Sequence, residues 1–198
     1  MLTTGRGQAQ GFGGAVAAPH HLTSLAAMAV LERGGNAVDA AIAANAVQGT
    51  VAPETCGIGG DLFALVWNPD NDAPAALNAS GWAGSHVSAQ GLRDSGNTEI
   101  PNDHPASVSI PGAVAGWYAL AERFGTMPVG ALLDHAVSHA IDGFPASDEY
   151  SRATNTKRTE LSSSAAGREL LGDHDEVTCG DRVRRPMLAS TLERVALH

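Results

Sequence analysis

Apolar positions along this chain fall into two patterns, short continuous runs of strand length and stripes spaced at three and four residues, and together they predict a mixed succession of helices and strands. Residues Gly14 to Ala18 are small and apolar and predict a first strand. Thr23 or Ser24 then caps a helix running to about Arg33, which Gly34 and Gly35 end. Asn36 is placed to cap the next helix, running to Gln48, with Gly49 and Pro53 opposing its continuation. Leu62 to Trp67 is an unbroken apolar run, Asn68-Pro69-Asp70-Asn71-Asp72 has turn chemistry, and Ala75 to Asn78 reads as a second strand, so a hairpin is predicted. Pro111 sits where a first helical turn tolerates proline, ahead of a stripe of Val114, Trp117, Leu120 and Ala121 that stops at Gly125. Another helix covers Val129 to Ile141. A last one opens at Pro186, with Leu188, Leu192 and Val195 on one face.

Two stretches break the pattern. Ser85 to Pro105 and Thr154 to Asp175 are rich in polar residues and read as long surface excursions. Neither a solenoid repeat nor a linker divides the chain, so residues 1–198 are expected to form one unit. So few strands leave small-residue helices uncovered, and the stripe of the last helix calls for a partner. The expectation is therefore a truncated chain whose core is completed by another segment.

Composition narrows the function classes. A hydrophobic content of 43% over 198 residues is enough for a core. The formal charge of -9, from 12 basic and 21 acidic residues, argues against nucleic-acid or anionic-membrane partners, which need clustered Lys and Arg. A small-molecule or protein partner fits better. No run approaches the roughly 20 apolar residues of a membrane span, and Met1 to Gln8 has no apolar core of signal-peptide kind, so a cytoplasmic location is expected. Cys56 and Cys179 form no Cys-x-x-Cys pair, which points away from zinc ribbons and disulfide frameworks.

Several clusters deserve a chemical reading. His135 and His139 share a helical face near Asp134 and Asp142, but no third ligand is implied and a half-exposed stripe is the simpler account. His20-His21 reads as a local cap. Cys56, beside the Gly57-Ile58-Gly59-Gly60 loop, reads as a small buried thiol rather than a nucleophile. That loop precedes a strand and has Leu62 where a dinucleotide fingerprint needs glycine, so a nucleotide site is not expected. The acidic run Gly172 to Glu176 lacks the ligand alternation of a calcium loop and reads as a solvated turn.

The most informative stretch runs from Gly34 to Asn68. Six of the eleven residues from Ala37 to Val47 are alanine, which permits close approach of a neighbouring element, and a glycine loop and an apolar strand follow. With Ala18-Pro19-His20, Arg33 to Ala41, Gly57 to Gly60, Ser109-Ile110-Pro111-Gly112, Phe124-Gly125 and Gly180 to Pro186 in this order, the chain resembles the gamma-glutamyltransferases, which belong to the N-terminal-nucleophile hydrolases. The resemblance implies an α+β fold of the αββα sandwich type, of which this chain holds the N-terminal portion of the large-subunit region. It implies a proenzyme that cuts itself into large and small subunits, and gamma-glutamyl transfer or glutathione hydrolysis by an N-terminal threonine of the small subunit. It implies no cofactor and no metal. No catalytic residue is assigned within this chain; the partners are the small subunit and a small-molecule acyl-amide donor. Asn36 and Asp39 are expected to support the junction of the two early helices. In the family an arginine in a Leu-Asp-x-Arg-Glu-x-Ala-Pro segment grips the donor α-carboxylate. Here Leu77-Asn78-Ala79-Ser80-Gly81-Trp82-Ala83-Gly84 stands in its place, resembling a branch with Asn-Ala-Ser-Gly-Arg-Ala-Pro. Ser80 and Trp82 are therefore the candidate substrate-binding residues. Trp82 either meets a flatter, more apolar acyl group or packs beneath the Ser85 to Pro105 excursion. Ser80 at the arginine's place also leaves open a related amidohydrolase or beta-lactam acylase, and a non-catalytic remnant is the remaining alternative.

Overall fold

The computed structural model describes residues 10–70, 72–100 and 104–197. The first helix, α1 (His21–Glu32), begins earlier than Thr23 or Ser24 would allow, because His20 is its cap: Nδ1 accepts the Leu22 N–H at 3.2 Å. Thr23 is buried instead, its hydroxyl donating to Gln48 Oε1 at 2.7 Å. The alanine-rich helix α2 (Ala37–Val51) starts with a capping box. Asn36 Oδ1 accepts from the Val38 and Asp39 N–H groups, and the Asp39 carboxylate accepts from Asn36 N–H. This helix does not stop at Gly49. A Cβ there would lie 3.2 Å from Gly57 Cα, so the glycine admits the following loop rather than ending the helix.

The hairpin forms as expected, β1 (Leu62–Val66) antiparallel to β2 (Ala75–Ala79), with Leu62 opposite Ala79 and Val66 opposite Ala75. Leu62, Ala64 and Val66 turn inward, whereas Phe63, Leu65 and Trp67 remain exposed. A short surface helix, α3 (Ala89–Asp94), and a 3-10 turn at Pro105–Ser107 lie in the first polar excursion. In α4 (Ala113–Phe124) the predicted stripe is buried at Trp117 and Leu120, and the Trp117 indole N–H donates to Asn45 Oδ1 on α2 at 2.9 Å. Helix α5 (Val129–Asp142) buries Leu132, Leu133 and Ala136 against α2.

Beyond it come β3 (Phe144–Pro145), α6 (Asp148–Thr156), α7 (Arg158–Ser162), α8 (Ala165–Leu171), β4 (Arg182–Val183), which pairs antiparallel with β3, and α9 (Pro186–Ala196). Three expectations change here. The stretch Thr154 to Asp175 is mostly helical, because Ser147 and Ser164 cap α6 and α8, and Tyr150, Thr154 and Leu171 give these polar segments a buried side. The stripe of α9 finds its partner inside the chain: it packs on α5, with Leu192 fully buried. Residues Gly14 to Ala18 form no strand. Val16 and Ala18 are half-buried and Ala15 and Ala17 exposed, so the period of two is present, yet no ladder partner lies beside them among the described residues.

The core centres on α2. Ile42, Ala43, Ala46, Val47 and Val51 are fully enclosed by α1, α4 and α5. Alanine against alanine keeps α1 and α2 close, so the hydrophobic gain comes from many small contacts rather than a few large side chains.

Candidate functional site

The family-like motifs meet in pairs. At the N-terminus of α4, no side chain caps the first turn; the Gly60 carbonyl accepts from the Gly112 and Ala113 N–H groups at 3.0 and 3.1 Å. Gly112 itself lies against β2, where a Cβ would fall 2.1 Å from the Ala79 carbonyl oxygen. Gly81 has φ +79°, and a Cβ on it would fall 1.7 Å from the Ile110 carbonyl oxygen. Ile110 N–H donates to the Trp82 carbonyl at 2.8 Å, and Ser109 Oγ donates to the Ser80 carbonyl at 3.2 Å. The segment after β2 is thus clamped, backbone to backbone, against Ser109 to Gly112.

Both candidate binding residues sit on this clamp. Ser80 is half-buried, its N–H held by Asn78 Oδ1 at 3.0 Å and its hydroxyl making only a long contact to the Gly81 carbonyl at 3.4 Å. The Trp82 side chain is 83% exposed, so the alternative in which it packs beneath the Ser85 to Pro105 excursion is wrong. The described residues of the excursion make their own short helix and turn, and the indole remains exposed. What the clamp offers chemically is a hydroxyl, a fixed backbone and an aromatic face.

A second junction holds the start of α2. The Asp39 carboxylate, fully buried, accepts from Thr126 Oγ1 at 2.5 Å, from the Thr126 N–H at 3.0 Å and from the Met127 N–H at 3.4 Å, besides Asn36. Burial alone raises such a carboxyl, but the Thr126 hydroxyl and the N–H groups of Asn36, Thr126 and Met127 outweigh it and hold Asp39 below its ordinary range. Asn36 Nδ2 donates to the Phe124 carbonyl at 2.6 Å, and a Cβ at Gly125 would lie 2.9 Å from Asp39 Oδ1. Asn36 and Asp39 therefore tie the helix start to the α4–α5 turn, which is why Phe124-Gly125 accompanies Gly-Gly-Asn in the sequence. The third junction was not foreseen. Arg185 Nη1 donates to the Gly49 and Thr50 carbonyls at 2.8 and 2.9 Å, closing the C-terminal end of α2, where a cation is favoured.

The Gamma-glutamyltranspeptidase family model matches residues 23–198. The chain belongs to the gamma-glutamyltranspeptidase family. An oxamate amidohydrolase proenzyme of Klebsiella pneumoniae is 38% identical over 92% of this chain and 35% of its own length. A glutathione hydrolase-like proenzyme of Bacillus subtilis is 31% identical over 91% of this chain and 34% of its own length. The gamma-glutamyltranspeptidase of Helicobacter pylori superposes with a TM-score of 0.88 at 25% identity, over 96% of this chain and 56% of that one. The chain thus spans about a third of the length of the curated relatives it matches. Its fold is the α+β, N-terminal-nucleophile hydrolase type of the gamma-glutamyltranspeptidases and acylases.

The remaining candidates lie away from the clamp. His20 stacks on His21 at 4.5 Å between centroids, and burial, then His21 and His139, lowers its pKa. His139 is lowered by burial and then by His135. No three potential metal-binding side chains converge among the described residues. Burial pushes the half-buried Cys56 thiol up, away from the thiolate. The run Gly172 to Glu176 lies in turns and bends, and Asp173, Asp175 and Glu176 are exposed. Among the described residues no helix is long and apolar enough to cross a membrane.

Proposed function

We propose that residues 1–198 are the N-terminal part of the large-subunit region of a gamma-glutamyltransferase-like proenzyme and form one wall of its donor pocket. The observation that carries this reading is the clamp. The segment aligned with the family's donor-binding stretch is fixed by Gly81 and Gly112 and presents Ser80 and Trp82 two residues apart, with the indole free to meet a ligand. In the complete proenzyme the small subunit's N-terminal threonine attacks the gamma-glutamyl carbonyl with its hydroxyl. Its α-amino group takes the proton, the amine of the donor leaves, and water or an amino acid resolves the acyl-enzyme. This chain orients the donor and supplies no reacting atom. By itself it has no turnover, and its partners are the small subunit and the amide donor. The reading retains the cytoplasmic location expected from the sequence.

A second reading, an amidohydrolase for a different acyl group, is favoured by one feature. Ser80 occupies the place of the family's arginine, and a hydroxyl forgoes about 1.5–3 kcal/mol for each charged hydrogen bond to a donor carboxylate. The Klebsiella relative, an oxamate amidohydrolase by name, agrees with this.

The test uses the chain joined to the coding sequence that follows it, assayed for p-nitroaniline release from gamma-glutamyl-p-nitroanilide and for ammonia release from oxamate. The first reading expects the former, and expects Ser80→Arg to raise kcat/KM for the gamma-glutamyl donor about tenfold or more. Trp82→Ala should raise KM for whichever donor is used. Ammonia release from oxamate alone would favour the second reading. If Ser80→Arg and Trp82→Ala are both silent, the donor wall lies elsewhere.

A further inference from the structure

Within Ser109-Ile110-Pro111-Gly112, Ile110 and Gly112 join the clamp through their main chain, whereas Ser109 joins it through its side chain. Pro111 sets the geometry, because a residue before proline is kept out of the helical region and so Ile110 runs extended. Side chains then alternate along the segment: Val108 and Ile110 are exposed and Ser109 between them is half-buried. Its hydroxyl thereby faces the segment after β2 and donates to the Ser80 carbonyl at 3.2 Å.

That carbonyl needs a holder. Among the described residues no backbone N–H donates to it, and the residue that follows is Gly81. Glycine is required there by φ +79° and by the contact with the Ile110 carbonyl, yet glycine accepts φ of either sign, so the Ser80–Gly81 peptide is free to turn over unless something restrains it. Ser109 is that restraint. In a trans peptide the N–H points opposite to the carbonyl, and no cis bond occurs among the described residues. With the Ser80 carbonyl held on Ser109, the Gly81 N–H faces the other way, and among the described residues it meets no acceptor. Beside it stands the Ser80 hydroxyl, with only its long contact to the Gly81 carbonyl at 3.4 Å. Two neutral hydrogen-bond donors are thus adjacent in the stretch where an arginine is expected.

We propose that Ser109 is a positioning residue of the donor wall: by holding the Ser80 carbonyl it presents the Gly81 N–H and the Ser80 hydroxyl together to an oxygen of the acyl donor. The inference rests on the donor-wall reading and names what keeps that wall in one conformation. Ser109 touches no substrate atom and acts through the peptide that it orients. The other side-chain link to Ser80, from Asn78 Oδ1 to its N–H at 3.0 Å, holds the preceding peptide and leaves the Ser80–Gly81 plane unfixed. Asn78 is also exposed, so water competes for its bond, whereas the Ser109 hydroxyl works from a half-buried position. A group bound by two neutral donors in place of a guanidinium gains orientation without a charge pair, which suits a carbonyl or amide oxygen as well as a carboxylate.

The test is steady-state kinetics of the complete proenzyme with gamma-glutamyl-p-nitroanilide and with oxamate. For whichever of them is cleaved, Ser109→Ala should raise KM about three- to tenfold, as expected for one hydrogen bond, with kcat changed by less than about twofold. Ser109→Thr keeps the hydroxyl and should bring KM back toward the parent value. Ser109→Val has the shape of threonine without the hydroxyl and should behave as Ser109→Ala, a contrast that a packing role would not produce. Equal KM for Ser109→Thr and Ser109→Val would overturn the proposal, and so would a Ser109→Ala variant that loses kcat at unchanged KM. Ser80→Ala and Trp82→Ala report on the wall itself. If they raise KM while Ser109→Ala is silent, the role of Ser109 falls alone. If all three are silent, or the parent cleaves neither substrate, the donor wall falls and the role of Ser109 with it.

Discussion

At the scale of single residues, the chain relies on polar groups that look ordinary in the sequence. Asp39 is the clearest. Its carboxylate gathers four donors, one from Asn36 and three from Thr126 and Met127, which lie 87 and 88 residues along the chain, and it is the hydrogen-bonded anion that makes the junction of α2 with the α4–α5 turn favourable. Asp39→Asn keeps the size but turns a donor toward the Thr126 N–H, and urea unfolding at neutral pH should show a loss of about 3 kcal/mol. The sign with pH follows from the lowered pKa. The stabilisation is complete above the ordinary value of 3.8 and is lost as pH falls through it toward the folded value, so the two proteins should converge in acid. His20 behaves in the opposite direction. Its pKa is lowered from 6.5, so the unfolded chain takes the proton first, and stability should fall as pH drops below 6.5. Protonation at Nδ1 removes the acceptor for Leu22 N–H and places a cation at a helix N-terminus. His20→Asn retains a cap and should flatten this part of a thermal-melt pH profile, while His139 keeps its own, also lowered, contribution. A profile unchanged by His20→Asn would remove His20 from the account.

At the scale of elements, glycines decide where strands and helices touch. Gly81 combines a positive φ with a backbone contact, whereas Gly180 has φ +92° and nothing within 4 Å of its would-be Cβ. Gly180→Ala should therefore cost about 1 kcal/mol, and Gly81→Ala about 3 kcal/mol or more, with the hairpin released from α4. Comparable melting temperatures for the two would show that the clamp is soft. The same contrast explains what the sequence could reveal. Helices α2, α4 and α5 and the hairpin were legible because each carries a local signal that the fold keeps: the Asn36 cap of α2, the stripe of α4 that ends at Gly125, the apolar spacing of α5, and two apolar runs around the Asn68 to Asp72 turn. The Gly14 to Ala18 strand was misread because a period of two fixes which side chains turn inward but not whether a backbone neighbour exists. Thr154 to Asp175 was misread because the helices there are short and bury little apolar surface, Tyr150 on α6, nothing on α7 and Leu171 on α8, too little to make a stripe. Ser80 and Trp82 are singled out only by their place in a family-like segment. The clamp that holds them depends on contacts between Gly81 and Ile110, and nothing in a linear reading announces such a contact. Arg185 was missed for the same reason, as its partners, Gly49 and Thr50, lie 136 and 135 residues away.

At the scale of the whole molecule, one apolar surface has no counterpart among the described residues. Phe63, Leu65 and Trp67, 63%, 77% and 61% exposed, stand in a row on the outer face of the hairpin, opposite the face that packs on α4. In a sandwich of two sheets such a row is inner surface, and each large side chain it covers contributes about 1.5–3 kcal/mol. Left open in the chain alone, it should drive self-association that grows with concentration. Phe63→Thr with Leu65→Thr keeps strand propensity while removing the apolar row, and sedimentation of the chain alone should then shift toward monomer. In the complete proenzyme the same pair should instead destabilise, by about 3–6 kcal/mol if both positions are covered. The two measurements have opposite signs for one reason: the row is a liability in isolation and a core once a second sheet lies on it. A variant that leaves the assembled protein unchanged would mean that this face looks onto solvent in the enzyme as well, and the second layer would then have to be sought on the other side of the hairpin.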